Sequence, residues 1–238
     1  QRDSSTIYFE VDPALAEQGV VFADLETAVR EHPELLQRYF MSDEAVAVTD
    51  NKFAALHGAF WTNGVVLYVP SDVEIELPFR VFSTQETAGI ATFNHVLIVA
   101  EKNADVTLVD FYDSETLDEE SIADSVIELH AAEGAQVRYI QVQDWGRHVW
   151  NFSTQKGAIH QDAAVRSLNV SLGSRLSKTL IASNLLAAGS SAEMLGLYFA
   201  DDTQHFDNQT RQNHITPYAS SDLLFKGAIK DRSQTVYS

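Results

Sequence analysis

Polar and apolar residues alternate in short runs through most of this chain, and the exceptions come early. Asp24 stands where a helix N-cap would, followed by Leu25, Ala28 and Val29 at helical spacing. Pro33 is placed to open a second short helix carrying Leu35, Leu36 and Phe40. Ser42 offers another cap, and Asn51 to Phe60 carries Phe53, Leu56 and Phe60 at helical spacing. Ahead of these, Ile7-Tyr8-Phe9 reads as a strand and the rest of residues 1–21 as irregular. The pattern predicts a small helical and irregular segment over residues 1–60.

After Trp61 the period changes. Val65 to Val69 is an apolar strand ended by Pro70. Val73, Ile75 and Leu77 alternate with Asp72, Glu74 and Glu76, the two-residue period of a half-buried strand. Similar runs recur, cut by Gly, Asn, Asp and Ser. From Asp113 to His130 the chain is acidic; its first half reads as a solvated loop, with a strand resuming at Ile127 and Leu129.

The runs repeat. Small or acidic lead-ins precede alternating strands at Ser71-Asp72-Val73, Asn103-Ala104-Asp105-Val106, Gly134-Ala135-Gln136-Val137, Asp162-Ala163-Ala164-Val165 and Ser220-Ser221-Asp222-Leu223. Ser190-Ser191-Ala192-Glu193 is a less regular sixth. Counting from the residues at 73, 106, 137, 165, 193 and 223, the steps are 33, 31, 28, 28 and 30. A degenerate period of roughly 30 residues marks a repeat architecture. Ankyrin and tetratricopeptide repeats share the period but need helices, and a propeller blade needs about 40–45 residues. A β-sandwich also alternates but has no reason to repeat evenly. The expected fold is mainly β: a parallel β-helix of about six coils over residues 61–238, with two short strands per coil.

Composition narrows the function. The chain has 238 residues, 45% hydrophobic and 21% charged, which is globular. It has 16 Lys and Arg against 34 Asp and Glu, a formal charge of −18. That balance argues against nucleic-acid and anionic-membrane partners. There are 0 cysteines, which removes disulfides, thiolate catalysis and cysteine-ligated clusters and fits a reducing, cytoplasmic setting. No apolar run reaches the roughly 18 residues of a membrane helix. No Gly-x-x-x-x-Gly-Lys-Ser/Thr loop and no Gly-x-Ser-x-Gly elbow occurs. The chain opens at Gln1 and stops in Thr235-Val236-Tyr237-Ser238, which reads as mid-strand, so a truncated β-helix is expected.

Several stretches together resemble a known family. Phe53-Ala54-Ala55-Leu56-His57-Gly58-Ala59-Phe60, then Asn63-Gly64-Val65 and Tyr68-Val69-Pro70, resemble the start of the β-helix in the SufB/SufD family of iron–sulfur cluster assembly. Gln143-Asp144-Trp145, Lys156-Gly157 and Asn169 to Gly173 resemble its middle coils. His205 to Thr210, His214 and Lys226-Gly227 resemble its late coils, and Ser221 to Ala228 is more similar to SufD than to SufB. The resemblance implies a right-handed β-helix and a non-catalytic scaffold without a cofactor of its own. It implies pairing with a SufB-like subunit through the end of the β-helix. A SufC-like ATPase would dock on C-terminal helices beyond Ser238, and the assembled complex would handle the cluster.

Two sets of residues could carry chemistry. His205 and Asp207 share a strand face, with His214 following within one coil; imidazole and carboxylate suit a divalent metal, while the plainer alternative is a hydrogen-bonded turn. By resemblance to SufB, Gln143, Trp145 and Lys156 would line a sulfur path inside the β-helix. Their plainer roles are a core-filling Trp145, a Gln143 satisfying a buried contact and a snorkelling Lys156. The other histidines, His32, His57, His95, His130, His148 and His160, read as scattered structural or exposed residues. Arg138, Arg147, Arg166 and Arg175 read as solvated residues balancing local acids. The competing function is a polysaccharide-binding or polysaccharide-cleaving β-helix, with Asp110, Asp113, Asp201 and Asp202 as carboxylates.

Overall fold

The computed structural model describes residues 1–238. Four short helices come first: α1 (Pro13–Glu17), α2 (Leu25–Glu31), α3 (Pro33–Tyr39) and α4 (Lys52–Phe60). One strand, β1 (Val21–Asp24), lies between the first two. The Asp24 carboxylate caps α2 by accepting from the Thr27 N–H at 2.9 Å. Pro33 opens α3 as its spacing predicts. Asn51 caps α4 through the N–H groups of Phe53 and Ala54, so Ser42 is no cap. Ile7 to Phe9 form no strand, and residues 13–17, read as irregular, are helical because Asp12 caps them and Pro13 pre-sets the first turn.

The rest is a parallel solenoid built from β2 (Asn63–Val69), β3 (Phe79–Thr84), β4 (Ala91–Ala100), β5 (Asp105–Asp113), β6 (Ser121–Ala131), β7 (Gln136–Asp144) and β8 (Val149–Ile159). It continues through β9 (Ala164–Ser171), β10 (Leu176–Leu185), β11 (Ser191–Ala200), β12 (His205–His214), β13 (Ser220–Ile229) and β14 (Gln234–Tyr237). Strands alternate between two sheets. One has the order β1-β2-β4-β6-β8-β10-β12-β14 and the other β13-β11-β9-β7-β5-β3. Every pairing is parallel except β1 on β2, which is antiparallel.

The repeat has a physical cause at one corner of each coil. Leaving the large sheet, the chain turns through a residue of positive φ: Asp72, Asn103, Gly134, Asp162, Gly189 and Tyr218. This left-handed region favours Gly, Asn and Asp, which is why the lead-ins look small and acidic. The first five corner N–H groups bond to the next coil, among them Asp72 to the Lys102 carbonyl, Asn103 to Glu133 and Gly134 to Gln161. A small buried residue follows, as Ala104, Ala135, Ala163 and Ser190.

Val106, Val137 and Val165 are direct register partners, as the repeat predicts. The outer members differ. Val165 pairs with Ala192 and Ala192 with Ser221, so the true positions are 192 and 221 rather than 193 and 223. In the first coil only Glu74 bridges to Asp105, placing Ile75 rather than Val73 beside Val106. Leu77 is 80% exposed, and the strand of that coil starts at Phe79, after Pro78. β6 begins at Ser121, six residues ahead of Ile127, once the loop after Asp113 closes.

Inward residues of both sheets form the main core, with Leu67, Ile98, Leu108, Ile127, Leu129, Val137, Tyr139 and Ile159 among its members. A second cluster joins Leu25, Ala28 and Tyr39 of the helices to Val66, Leu97 and Val99 on the outer face of the large sheet. The helical segment thus covers the outside of the first coils.

Candidate functional site

The residues singled out from the sequence do not converge. His205 and Asp207 both face outward on β12, where Asp207 pairs with Lys178 of β10. His214 lies seven residues further, about 23 Å along an extended strand. Its Nε2 is 2.9 Å from the Ser221 hydroxyl. No three His, Asp or Glu side chains of the chain are arranged to hold a metal ion.

Gln143 and Trp145 do lie together. Gln143 is inside the solenoid and accepts from the Gly173 N–H at 3.1 Å. Trp145 packs on Tyr112, Ala123 and Val149. Lys156, on the opposite sheet, points out and pairs with Asp50 of the loop before α4. Strand parity gives the inward place beside it to Gln155, which accepts from Asn169 at 2.8 Å. Asn169 donates also to Gln141, so the interior polar file is Gln141–Asn169–Gln155. One coil away, buried Asp110 accepts from the Tyr139 hydroxyl at 2.8 Å. Burial pushes the Asp110 carboxyl up to about 6, against the hydrogen bonds of the tyrosines.

The carboxylates weighed for a sugar polymer share no groove. Asp110 is interior, Asp113 accepts from Thr84, Asp201 pairs with Arg147, and Asp202 sits in a turn of positive φ. The four arginines each find an acid: Arg138 with Asp105, Arg147 with Asp201, Arg166 with Glu193 and Arg175 with Glu120.

The densest chemistry lies where the sequence showed only scattered histidines. Between the helical segment and the large sheet, His57 of α4, His95 of β4 and Glu128 of β6 form a buried line. His57 Nε2 is 3.1 Å from His95 Nδ1, and His95 Nε2 is 3.0 Å from Glu128 Oε2. Glu128 also accepts the backbone N–H groups of Met41 at 2.6 Å and Val46 at 3.2 Å. Asp124 Oδ1 stands 3.6 Å from His57 Nδ1, and His130 Nε2 stands 3.9 Å from Glu128 Oε1.

The proton arrangement follows from this geometry. Burial holds the His95 imidazolium pKa below its ordinary value, so His95 is neutral. A neutral His95 donating to Glu128 must accept from His57 on its other nitrogen. The other His57 nitrogen faces Asp124, whose pKa is raised by burial against the opposing pull of His57. Burial alone would raise Glu128 too, but His130 and His95 hold it down to about 2. Glu128 is therefore an anion that receives three donors and ties the loop between α3 and α4 to the solenoid. An isolated Glu inside the apolar run Val126-Ile127-Glu128-Leu129 was the available signal for it.

Comparison with known proteins divides the chain inside β3, within the solenoid, rather than at the end of α4. The model of the SufBD protein N-terminal region matches residues 6–81, and that of the SufBD core domain of SUF system FeS cluster assembly matches residues 82–238. An iron–sulfur cluster assembly SufBD family protein of Staphylococcus epidermidis is 30% identical over 237 residues, covering 100% of this chain and 50% of the relative. Counterparts in Staphylococcus haemolyticus and Staphylococcus aureus are 30% and 29% identical over the same span. The chain spans about half the length of these curated relatives.

Proposed function

This chain belongs to the SufBD family of iron–sulfur cluster assembly proteins, and on that premise we propose that it is a non-catalytic scaffold of the SUF machinery. It works in the cytoplasm as a partner of a SufB-like subunit and a SufC-like ATPase. The cluster is cargo of the assembled complex rather than a resident cofactor of this chain. SufD is the closer of the two family roles, on the wording of Ser221 to Ala228. Residues 1–60 brace the first coils, and residues 61–238 supply the wall.

The observation that carries this reading is a family match running from residue 6 to residue 238, over the helical segment and the continuous two-sheet solenoid after it. Parallel ladders stacked coil on coil make a rigid wall, because the backbone groups of every strand inside a sheet are tied on both sides. Such a wall can hold partners at fixed separation. The test is co-purification of the full-length protein with SufB-like and SufC-like proteins of the same cell. A stable complex with ATPase activity is expected. No association, with all three shown folded, overturns the proposal.

A further inference from the structure

Lysine and arginine are scarce in this chain, 16 against 34 acids, yet four of them line one small cavity. It lies on the outer face of the large sheet, between the start of α4 and strands β8, β10 and β12, with a volume of about 200 Å³. The parallel register explains the convergence. Lys156, Ala182 and Arg211 lie in one cross-strand row, so two cations flank a small residue about 10 Å apart. The neighbouring row, Thr154, Leu180 and Gln209, makes the floor, and Lys178 stands one row beyond it. Asp50, Asn51, Lys52 and Phe53 form the wall above.

The charges do not cancel. Asp50 pairs with Lys156 and Asp207 with Lys178. Arg211 and Lys52 have no acid, Lys52 lying 5.0 Å from the centre of the Phe53 ring. Two uncompensated cations thus line one cavity, Lys52 from the wall and Arg211 from the sheet, in a molecule with acids to spare. Convergent donors that are strong, flexible and unpaired are the chemistry that holds an oxyanion. Thr154, Asn51 and Gln209 add polar groups around it.

We propose that this cavity binds an oxyanion of the phosphate class, held by Arg211 and Lys52 with Lys156 and Lys178 beside them. The site is independent of the scaffold reading. The ligand is either free phosphate or the phosphoryl group of a larger molecule, and the experiment separates these. In the full-length protein, titration with inorganic phosphate at low ionic strength, followed by calorimetry, is expected to show saturable binding absent with chloride at equal ionic strength. Tighter binding of phenyl phosphate than of phosphate would identify a phosphoryl group beside the Phe53–Phe152 pair; equal binding would identify the free ion.

The double substitution Lys52→Ala with Arg211→Ala removes only unpaired cations and breaks no ion pair. It is expected to weaken phosphate binding by about tenfold or more, while Arg211→Lys, keeping the charge, retains most of it. Unfolding temperature without phosphate should stay level or rise in the double variant, which separates lost binding from lost fold. Absence of saturable binding to the wild type, or unchanged affinity in the double variant, overturns the proposal.

Discussion

Glu128→Gln is the most informative single change, because size stays constant while one charge disappears. The carboxylate receives His95, the Met41 N–H and the Val46 N–H, and is fully buried. An amide keeps one acceptor oxygen. If that oxygen serves Met41 and His95, the new NH₂ confronts the Val46 N–H across a 3.2 Å gap. A hydrogen bond to a buried charged group contributes about 1.5–3 kcal/mol, and an unsatisfied buried donor costs about 1–3 kcal/mol. The relief of desolvating a charge offsets part of this. The expected loss is about 3–4 kcal/mol.

Urea unfolding of the full-length protein, followed by tryptophan fluorescence, measures that loss; hydrogen exchange at Val46 localises it. The pH dependence adds a second reading. Glu128 has its pKa lowered from 4.5 to about 2, so its contribution is present above pH 4.5 and fades as pH falls from there towards 2. His95, depressed below 6.5, acts in the same direction at higher pH, because the unfolded chain takes up its proton first. The variant should lose the acid step below pH 4.5. A loss under about 1 kcal/mol, with Val46 exchange unchanged, would refute the assigned role of the carboxylate as an anchor.

Four further substitutions probe the solenoid. Asp110 has its pKa raised from 3.8 to about 6, so the folded state binds the extra proton between those values and gains stability as pH falls through 6. Asp110→Asn should therefore stabilise the protein at pH 8, by about 3 kcal/mol at most, and little at pH 4; equal effects at both pH values in thermal melts would count against it. Val137→Asp and Val165→Asp place unpaired charge at inward positions 1% and 3% exposed, and circular dichroism melts should show the middle coils lost. Gly64→Ala puts a Cβ 2.1 Å from the His95 carbonyl oxygen, so β2 must part from β4, and a soluble, unshifted melt would contradict that close approach.

The coil repeat was legible because a local rule generates it. A left-handed corner admits Asp, Asn and Gly at Asp72, Asn103, Gly134 and Asp162, and those letters stand out. Tyr218 takes the same conformation without such a letter, and there the register slipped by two residues. The helix cap at Asp24 was equally local, but Asn51 rather than the expected Ser42 caps α4, and β1 was hidden because only its pairing to β2 makes it a strand. The His57–His95–Glu128 line was invisible for a different reason. Its members lie 38 and 33 residues apart, and the loop they hold is 82 to 87 residues from Glu128. Only the coil register brings them together. Lys156 shows the converse: a family likeness named the strand, but parity decides which neighbour faces in.

The antiparallel strand at the head of the large sheet has a consequence for polymer growth. A stack of parallel coils offers, at a bare end, the same template that its own next coil uses, and copies could add end to end into a filament. Here β1 runs backwards over β2 for four residues, Val21 to Asp24, and the bridge from Arg2 to Thr84 covers part of the small sheet's first edge. A parallel coil arriving at that end meets a short strand of opposite polarity and a charged Asp24 at its tip. The head of the solenoid is thus a chain terminator, and any filament of this protein would have to be built by some route other than continuing its own ladder.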